Sequence, residues 1–109
     1  VPSRFEPCGL TQLCALRYGA VPVVAKVGGL ADTVVDLDAA GGDPESATGF
    51  QVAPPTLAAL EETLCRVATL WANRMRWARL QLNGMRKDVS WDGPAREYAR
   101  LYDGLLSTN

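Results

Sequence analysis

Nine consecutive residues near the start of the chain, Arg4-Phe5-Glu6-Pro7-Cys8-Gly9-Leu10-Thr11-Gln12, combine anion-binding groups with a carboxylate. A proline and a glycine bracket the start of a segment with helical spacing. The first amides of that helix therefore have no acceptor within it. Free N–H groups on Gly9, Leu10 and Thr11 would point at an anion such as a phosphate, and the helix dipole adds to the attraction. Gly9 lets the backbone come close because it has no Cβ, and the Thr11 hydroxyl is a further donor. Glu6 lies one short turn away. A carboxylate repels a phosphate, so its partner would be a neutral sugar attached to that phosphate. Such a sugar offers hydroxyls to accept from and develops positive charge at its anomeric carbon. The chemistry these residues fit is the handling of a sugar-diphosphate donor. By spacing alone they also fit an ordinary turn with an exposed carboxylate, and short motifs match by accident.

The elements that must position these residues follow from periodicity and punctuation. Pro2 and Pro7 disfavour helix in the residues before them, so residues 1–8 read as extended. Leu10, Leu13, Cys14 and Arg17 fall on one helical face, and Gly19 stands where a helix-ending glycine belongs, which predicts a helix over about 9–18. Val21-Pro22-Val23-Val24-Ala25 is a short apolar run without alternation, as expected of a strand covered on both faces in a parallel sheet. Pro22 fits only its start or an unpaired side. Gly28-Gly29 marks a turn, Leu30–Val35 a short helix, and Asp36–Thr48 a polar loop suited to length variation and mobility. Gly49-Phe50-Gln51-Val52 is a second short strand. Thr56 caps a helix on which Leu57, Leu60, Leu64, Val67, Ala68 and Trp71 recur, with Glu61 and Glu62 early in it. Asn73 caps a helix through about Arg86 that contains Met75, Trp77 and Leu80. Ser90 caps a last helix with an apolar stripe of Trp91, Ala95, Tyr98, Leu101, Tyr102 and Leu105. The order is an α/β pattern, and two short strands are too few for a complete sheet.

Composition narrows the function classes. A net charge of −1 leaves no basic surplus for nucleic acid or an anionic membrane. No apolar run approaches the ~20 residues of a spanning helix. Histidine is absent, which removes Ser-His-Asp and Cys-His catalysis and the usual histidine metal ligands from what the chain does alone. Three cysteines at irregular spacing, Cys8, Cys14 and Cys65, fit neither a disulfide framework nor a zinc site, and imply reduced thiols in the cytoplasm. Val1 stands where a methionine would open a chain and no signal peptide follows, so the expectation is a start partway into a longer protein.

The run VPSRFEPCGLTQL, followed by LRYGAVPVVAKVGGLADTVVD, resembles the C-terminal domain of glycogen and starch synthases. The likeness is close over residues 1–52, is one of character only over 53–87, and resumes loosely at Asp88-Val89-Ser90-Trp91. These are ADP-glucose-dependent, two-lobed glycosyltransferases of the GT-B type. The resemblance implies an incomplete Rossmann-like lobe, short parallel strands with flanking helices and a helical C-terminus. Residues 1–109 would be the C-terminal portion of the nucleotide-sugar-binding domain, without its upstream strands or N-terminal lobe. By the same resemblance Glu6 contacts the donor glucose in catalysis, while Cys8, Gly9, Leu10 and Thr11 line the glucose and diphosphate end. The implied reaction moves glucose, with retention, from ADP-glucose to the 4-hydroxyl at the non-reducing end of an α-1,4-glucan, without a cofactor or metal. Alternatives are another retaining GT-B transferase with a different donor or acceptor, or a non-catalytic nucleotide-binding remnant.

Related enzymes often carry a second glutamate eight residues after the first. Here that position is Cys14, which these synthases also fill with a non-acidic residue, and Cys14 is assigned no catalytic role. Lys26-Val27-Gly28-Gly29-Leu30 looks like the family's N-terminal lysine-containing GGL loop. Its place between a strand and Ala31-Asp32-Thr33-Val34 makes it instead a tight turn presenting a helix, with Lys26 a weak candidate for the donor. Trp71, Trp77 and Trp91 read as core packing or an interlobe contact. Arg74, Arg76, Arg79 and Arg86 read as the solvated side of a helix. Cys8, without an activating cation or base in view, has no thiolate chemistry.

Overall fold

A computed structural model describes residues 1–38 and 45–107. The elements, in order, are α1 (Thr11–Arg17), β1 (Val23–Ala25), α2 (Gly28–Thr33), β2 (Phe50–Val52), α3 (Leu57–Trp71), α4 (Arg74–Arg86) and α5 (Asp92–Ser107). β1 and β2 are parallel, with Val23 opposite Phe50, Val24 opposite Gln51 and Ala25 opposite Val52. Asp36 and Gly49 add one parallel bridge before β2. Pro22 immediately precedes β1 and its carbonyl accepts from Phe50 N at 2.9 Å, so the proline stands at the start of the ladder. The outer edge of β1 is taken by Val1, whose amino group donates to Val23 O at 2.6 Å while its carbonyl accepts from Ala25 N at 2.9 Å.

The two faces of this small sheet carry different cores. Phe50 joins Ala47, Leu70 and Leu80 in one cluster, with Val21, Val23, Leu37, Val67 and Trp77 packed around it. Val24 joins Leu30 and Val34 of the α2 segment on the other face. Alternation thus sends neighbouring residues of β1 into separate layers, as period-two geometry requires. Trp77 meets Phe50 and Trp71 at ring-centroid distances of 6.5 and 5.2 Å, which makes it a packing residue.

Capping and turn chemistry explain most boundaries. Gly19 has φ +77°, and the bonds Ala20 N to Ala15 O (2.9 Å) and Gly19 N to Leu16 O (3.2 Å) complete the paired closure that a left-handed glycine permits. Thr56 accepts from Ala59 N at 3.2 Å and Asn73 from Arg76 N at 3.2 Å, as their positions predict. Ser90 differs. The last helix starts two residues later, at Asp92, and Ser90 Oγ reaches the Asp92 amide only at 3.4 Å.

Three expected faces are corrected. In α1 the stripe of Leu10, Leu13, Cys14 and Arg17 points largely outward, and the fully covered residues are Gln12 and Leu16. The reason is the neighbour: Gly84 of α4 leaves a hollow that Leu16 fills, since a Cβ there would lie 2.9 Å from Leu16 Cδ2. In α3 the covered residues are Thr63 and Leu70, while Leu57, Leu64 and Trp71 stay exposed. Trp91 is 76 % exposed and no residue of α5 is buried, so the expected core packing of Trp91 is not found among the described residues, and within the stripe Tyr98 stacks on Tyr102. The polar loop expected over Asp36–Thr48 falls in part on residues 39–44, outside the described residues. Its two ends are pinned: Thr48 N donates to Val35 O at 2.8 Å, and Asp36 is buried, accepting from Gln51 N at 2.7 Å and Arg66 at 2.8 Å. No helix among the described residues is long and apolar enough to cross a membrane.

Candidate functional site

Glu6 to Thr11 form a loop that runs onto the first turn of α1, beside the turn that follows the C-terminal end of β1. In parallel sheets this is the edge where ligands bind. The loop is held through its backbone. Gly29 N donates to both Glu6 O (3.0 Å) and Pro7 O (3.1 Å). Gly28 has φ +45°, and a Cβ on it would strike the Glu6 carbonyl. One on Gly29 would strike the backbone of Cys8. The two glycines are thus required by close approach of two main chains. This gives the tight turn a second duty that its sequence did not reveal: it is the bed on which the Glu6 loop lies.

From the other side the loop is held by Gln12, which is 0 % exposed. Its Nε2 shares two hydrogens among Cys8 O (3.0 Å), Gly9 O (2.9 Å) and Thr33 Oγ1 (3.1 Å). Thr33 Oγ1 in turn donates to Gly29 O at 2.6 Å, so it can only accept from Gln12. That chain of donors fixes the amide orientation, because the opposite one would set Oε1 against two carbonyls. Oε1 is left buried without a partner. It lies against Gly9, where a Cβ would come within 2.6 Å of it. Gly9 itself has φ +76°, a second reason for glycine there. The far end of α2 is closed by Lys87 Nζ, which donates to Thr33 O, and by Gln51 Nε2, which donates to Ala31 O (3.0 Å) and Val34 O (2.7 Å). Burial pushes the Lys87 ammonium below the usual lysine value.

With its carbonyls engaged inward, the loop keeps its donors outward. Among the described residues, no protein acceptor is found for the amides of Gly9, Leu10 and Thr11, and no side chain caps α1. Leu10, Thr11 and Cys8 are exposed and the Glu6 residue is half-buried. The loop offers an anion several free amides, and Glu6 stands three residues before Gly9 in the same loop. The sequence suggested roles for Glu6, Cys8, Gly9, Leu10 and Thr11 but none for Gln12, Gly29 and Thr33, which hold the loop. The one available signal was Gln12 itself, a polar residue four positions before buried Leu16. Lys26 is exposed and uses its backbone N–H on Val52 O at 2.9 Å. Cys14 is an exposed free thiol, as are Cys8 and Cys65. Arg74 stacks 3.6 Å over Trp71 and Arg79 pairs with Glu45, so these cations serve the helical surface. Among the described residues no cluster of His, Cys, Asp and Glu could hold a metal ion.

No protein-family model matches the chain. A glycogen synthase of Rhodopseudomonas palustris (strain HaA2) is 60% identical over 106 residues, covering 97% of this chain and 22% of that protein. The catalytic domain of starch synthase IV from Arabidopsis thaliana, solved bound to ADP and acarbose, superposes with a TM-score of 0.84 at 36% identity, over 98% of this chain and 22% of that one. A sucrose-phosphate synthase from Thermosynechococcus elongatus gives a TM-score of 0.64 at 32% identity, over 100% of this chain and 25% of that one. The chain thus spans about a fifth of the length of the relatives it matches. Over nearly all of its length the chain is similar to one segment of the glycogen and starch synthases and shares the GT-B fold of their catalytic domains.

Proposed function

We propose that the protein carrying this chain is an ADP-glucose-dependent glycogen synthase, and that residues 1–109 are the C-terminal portion of its nucleotide-sugar-binding domain. The observation that carries the reading is the pairing of free amides at the start of α1 with Glu6 on one loop. Gly9, Leu10 and Thr11 grip the donor diphosphate, with Cys8 lining the sugar end. Glu6 holds the glucose and stabilises positive charge as the bond to ADP lengthens, a gain that grows toward the transition state. Glucose passes with retention to the 4-hydroxyl at the non-reducing end of an α-1,4-glucan. The departing phosphate helps deprotonate that hydroxyl, and no metal enters the step. A starch synthase similar over 98% of the chain was solved with ADP bound, which supports an adenine nucleotide over a uridine one. The cytoplasm is the compartment that fits three irregularly spaced thiols.

The test is glucose incorporation into glycogen by the full-length protein, from ADP-glucose and from UDP-glucose. Incorporation from ADP-glucose should exceed the other by at least tenfold. Replacement Glu6→Ala should lower turnover by about 10²-fold or more, the scale of losing one electrostatic stabiliser, while ADP affinity stays within a few-fold. Near-native turnover in that variant would remove Glu6 from the mechanism.

A further inference from the structure

Gln12 poses a physical question that the proposed reaction does not answer. Gln12 is fully covered and its Oε1 has no partner, so what the amide supplies there is its donors. Its donations all run toward groups that shape the loop: the carbonyls on both sides of the Cys8–Gly9 peptide bond, and the hydroxyl of Thr33. Thr33 passes the restraint to Gly29 O, and Gly29 N holds Glu6 O and Pro7 O. Hydrogen bonds therefore link Gln12, Thr33, Gly29 and Glu6 in a chain that the covalent backbone from Glu6 to Gln12 closes around the loop.

Carbonyl direction and amide direction are coupled, because the peptide unit is planar. Turning Cys8 O and Gly9 O inward turns the N–H groups of Gly9 and Leu10 the opposite way. We propose that Gln12 and Thr33 are positioning residues of the donor site, which orient the Gly9 and Leu10 amides and the Glu6 carboxylate without touching substrate. This rests on the reading of Glu6–Thr11 as the donor loop. Transfer depends steeply on alignment, and a shift of about 1 Å at such a site costs up to ~10²-fold. The network is therefore expected to act on the donor and on turnover, and to leave the glucan untouched.

The test uses the full-length synthase with Gln12→Met, Thr33→Val and Thr33→Ser, beside Glu6→Gln and Thr11→Val as probes of the donor loop itself. Gln12→Met keeps the bulk and removes the donors. Thr33→Val keeps the shape and removes the hydroxyl, which Thr33→Ser restores. For Gln12→Met and Thr33→Val the expected result is a loss of roughly tenfold or more in kcat/KM for ADP-glucose. ADP binding by calorimetry should weaken in parallel, with the KM for glycogen within twofold of the parent. Thr33→Ser should recover most of both. If Gln12→Met does not fold, the Val and Ser variants at Thr33 decide alone. Wild-type donor kinetics in Thr33→Val, or equal impairment in Thr33→Ser, would overturn the proposal. If that happens while Glu6→Gln and Thr11→Val are impaired, the donor-loop reading survives. Should those two also behave as the parent, the donor-loop reading falls with it.

Discussion

At the scale of single residues, the loop that carries Glu6 is defined by what cannot be added to it. Gly29 makes the point most sharply, since its N–H serves two carbonyls and its missing Cβ is occupied by the main chain of Cys8. Flexible side chains can move away from an intruding methyl group, but a main chain held by Gln12 cannot. Gly29→Ala is expected to destabilise the protein by about 1–3 kcal/mol, the usual range for overpacking, and to displace the loop. Thermal unfolding of the full-length protein and incorporation from ADP-glucose check the two parts. An alanine variant with parental melting and turnover would mean that the close approach is not maintained in solution. The proposed roles of Glu6, Cys8, Gly9, Leu10 and Thr11 could be read from the sequence because they rest on neighbouring residues of one short segment. Those of Gln12, Gly29 and Thr33 could not, because each matters through a partner far along the chain, and nothing local marks a carbonyl that needs a donor.

At the scale of elements, existence was easier to read than orientation. Helical spacing and the caps Thr56 and Asn73 located α3 and α4, and a left-handed glycine closed α1 at Gly19. Which face turns inward depends on the neighbour, so α1 buries Gln12 and Leu16 where apolar count pointed to Leu10 and Leu13. α2 shows the same dependence. It is six residues long, without a capping side chain, and Gln51 of β2 and Lys87 beyond α4 donate to carbonyls at its C-terminal end. Burial lowers the Lys87 pKa from 10.5, so the charged form is disfavoured on folding. Between that lowered value and 10.5 the unfolded chain binds more protons than the folded one, and the Lys87 contribution to stability rises with pH. Below the lowered value the full desolvation cost is present. Urea unfolding of the parent and of Lys87→Met across that alkaline window should show the parent gaining on the variant as pH increases. A constant difference between the two would mean that Lys87 is solvated in the folded protein.

At the scale of the whole molecule, the described chain is a partial shell. Among the described residues two three-residue strands form its sheet, and α5, preceded by the exposed Trp91, presents Tyr98, Leu101, Tyr102 and Leu105 with no residue of the helix buried. Periodicity made that stripe legible but could not say what covers it, since amphipathicity records a face and not its partner. The chain also spans 22% of the glycogen synthases it matches, and the loop around Glu6 lies open on its surface. Transfer between two sugars needs both held in line, with water kept from the anomeric carbon. One wall carrying amides and a carboxylate does neither. Residues 1–109 alone are therefore expected to transfer no glucose from ADP-glucose to glycogen above the protein-free background, in an assay where the full-length protein is active. Alignment and water exclusion together account for many powers of ten, so even a well-folded fragment that bound ADP would stay below detection. Measurable incorporation by the isolated chain would mean that the loop around Glu6 positions both substrates unaided, and that the remainder of the full-length protein is dispensable for alignment.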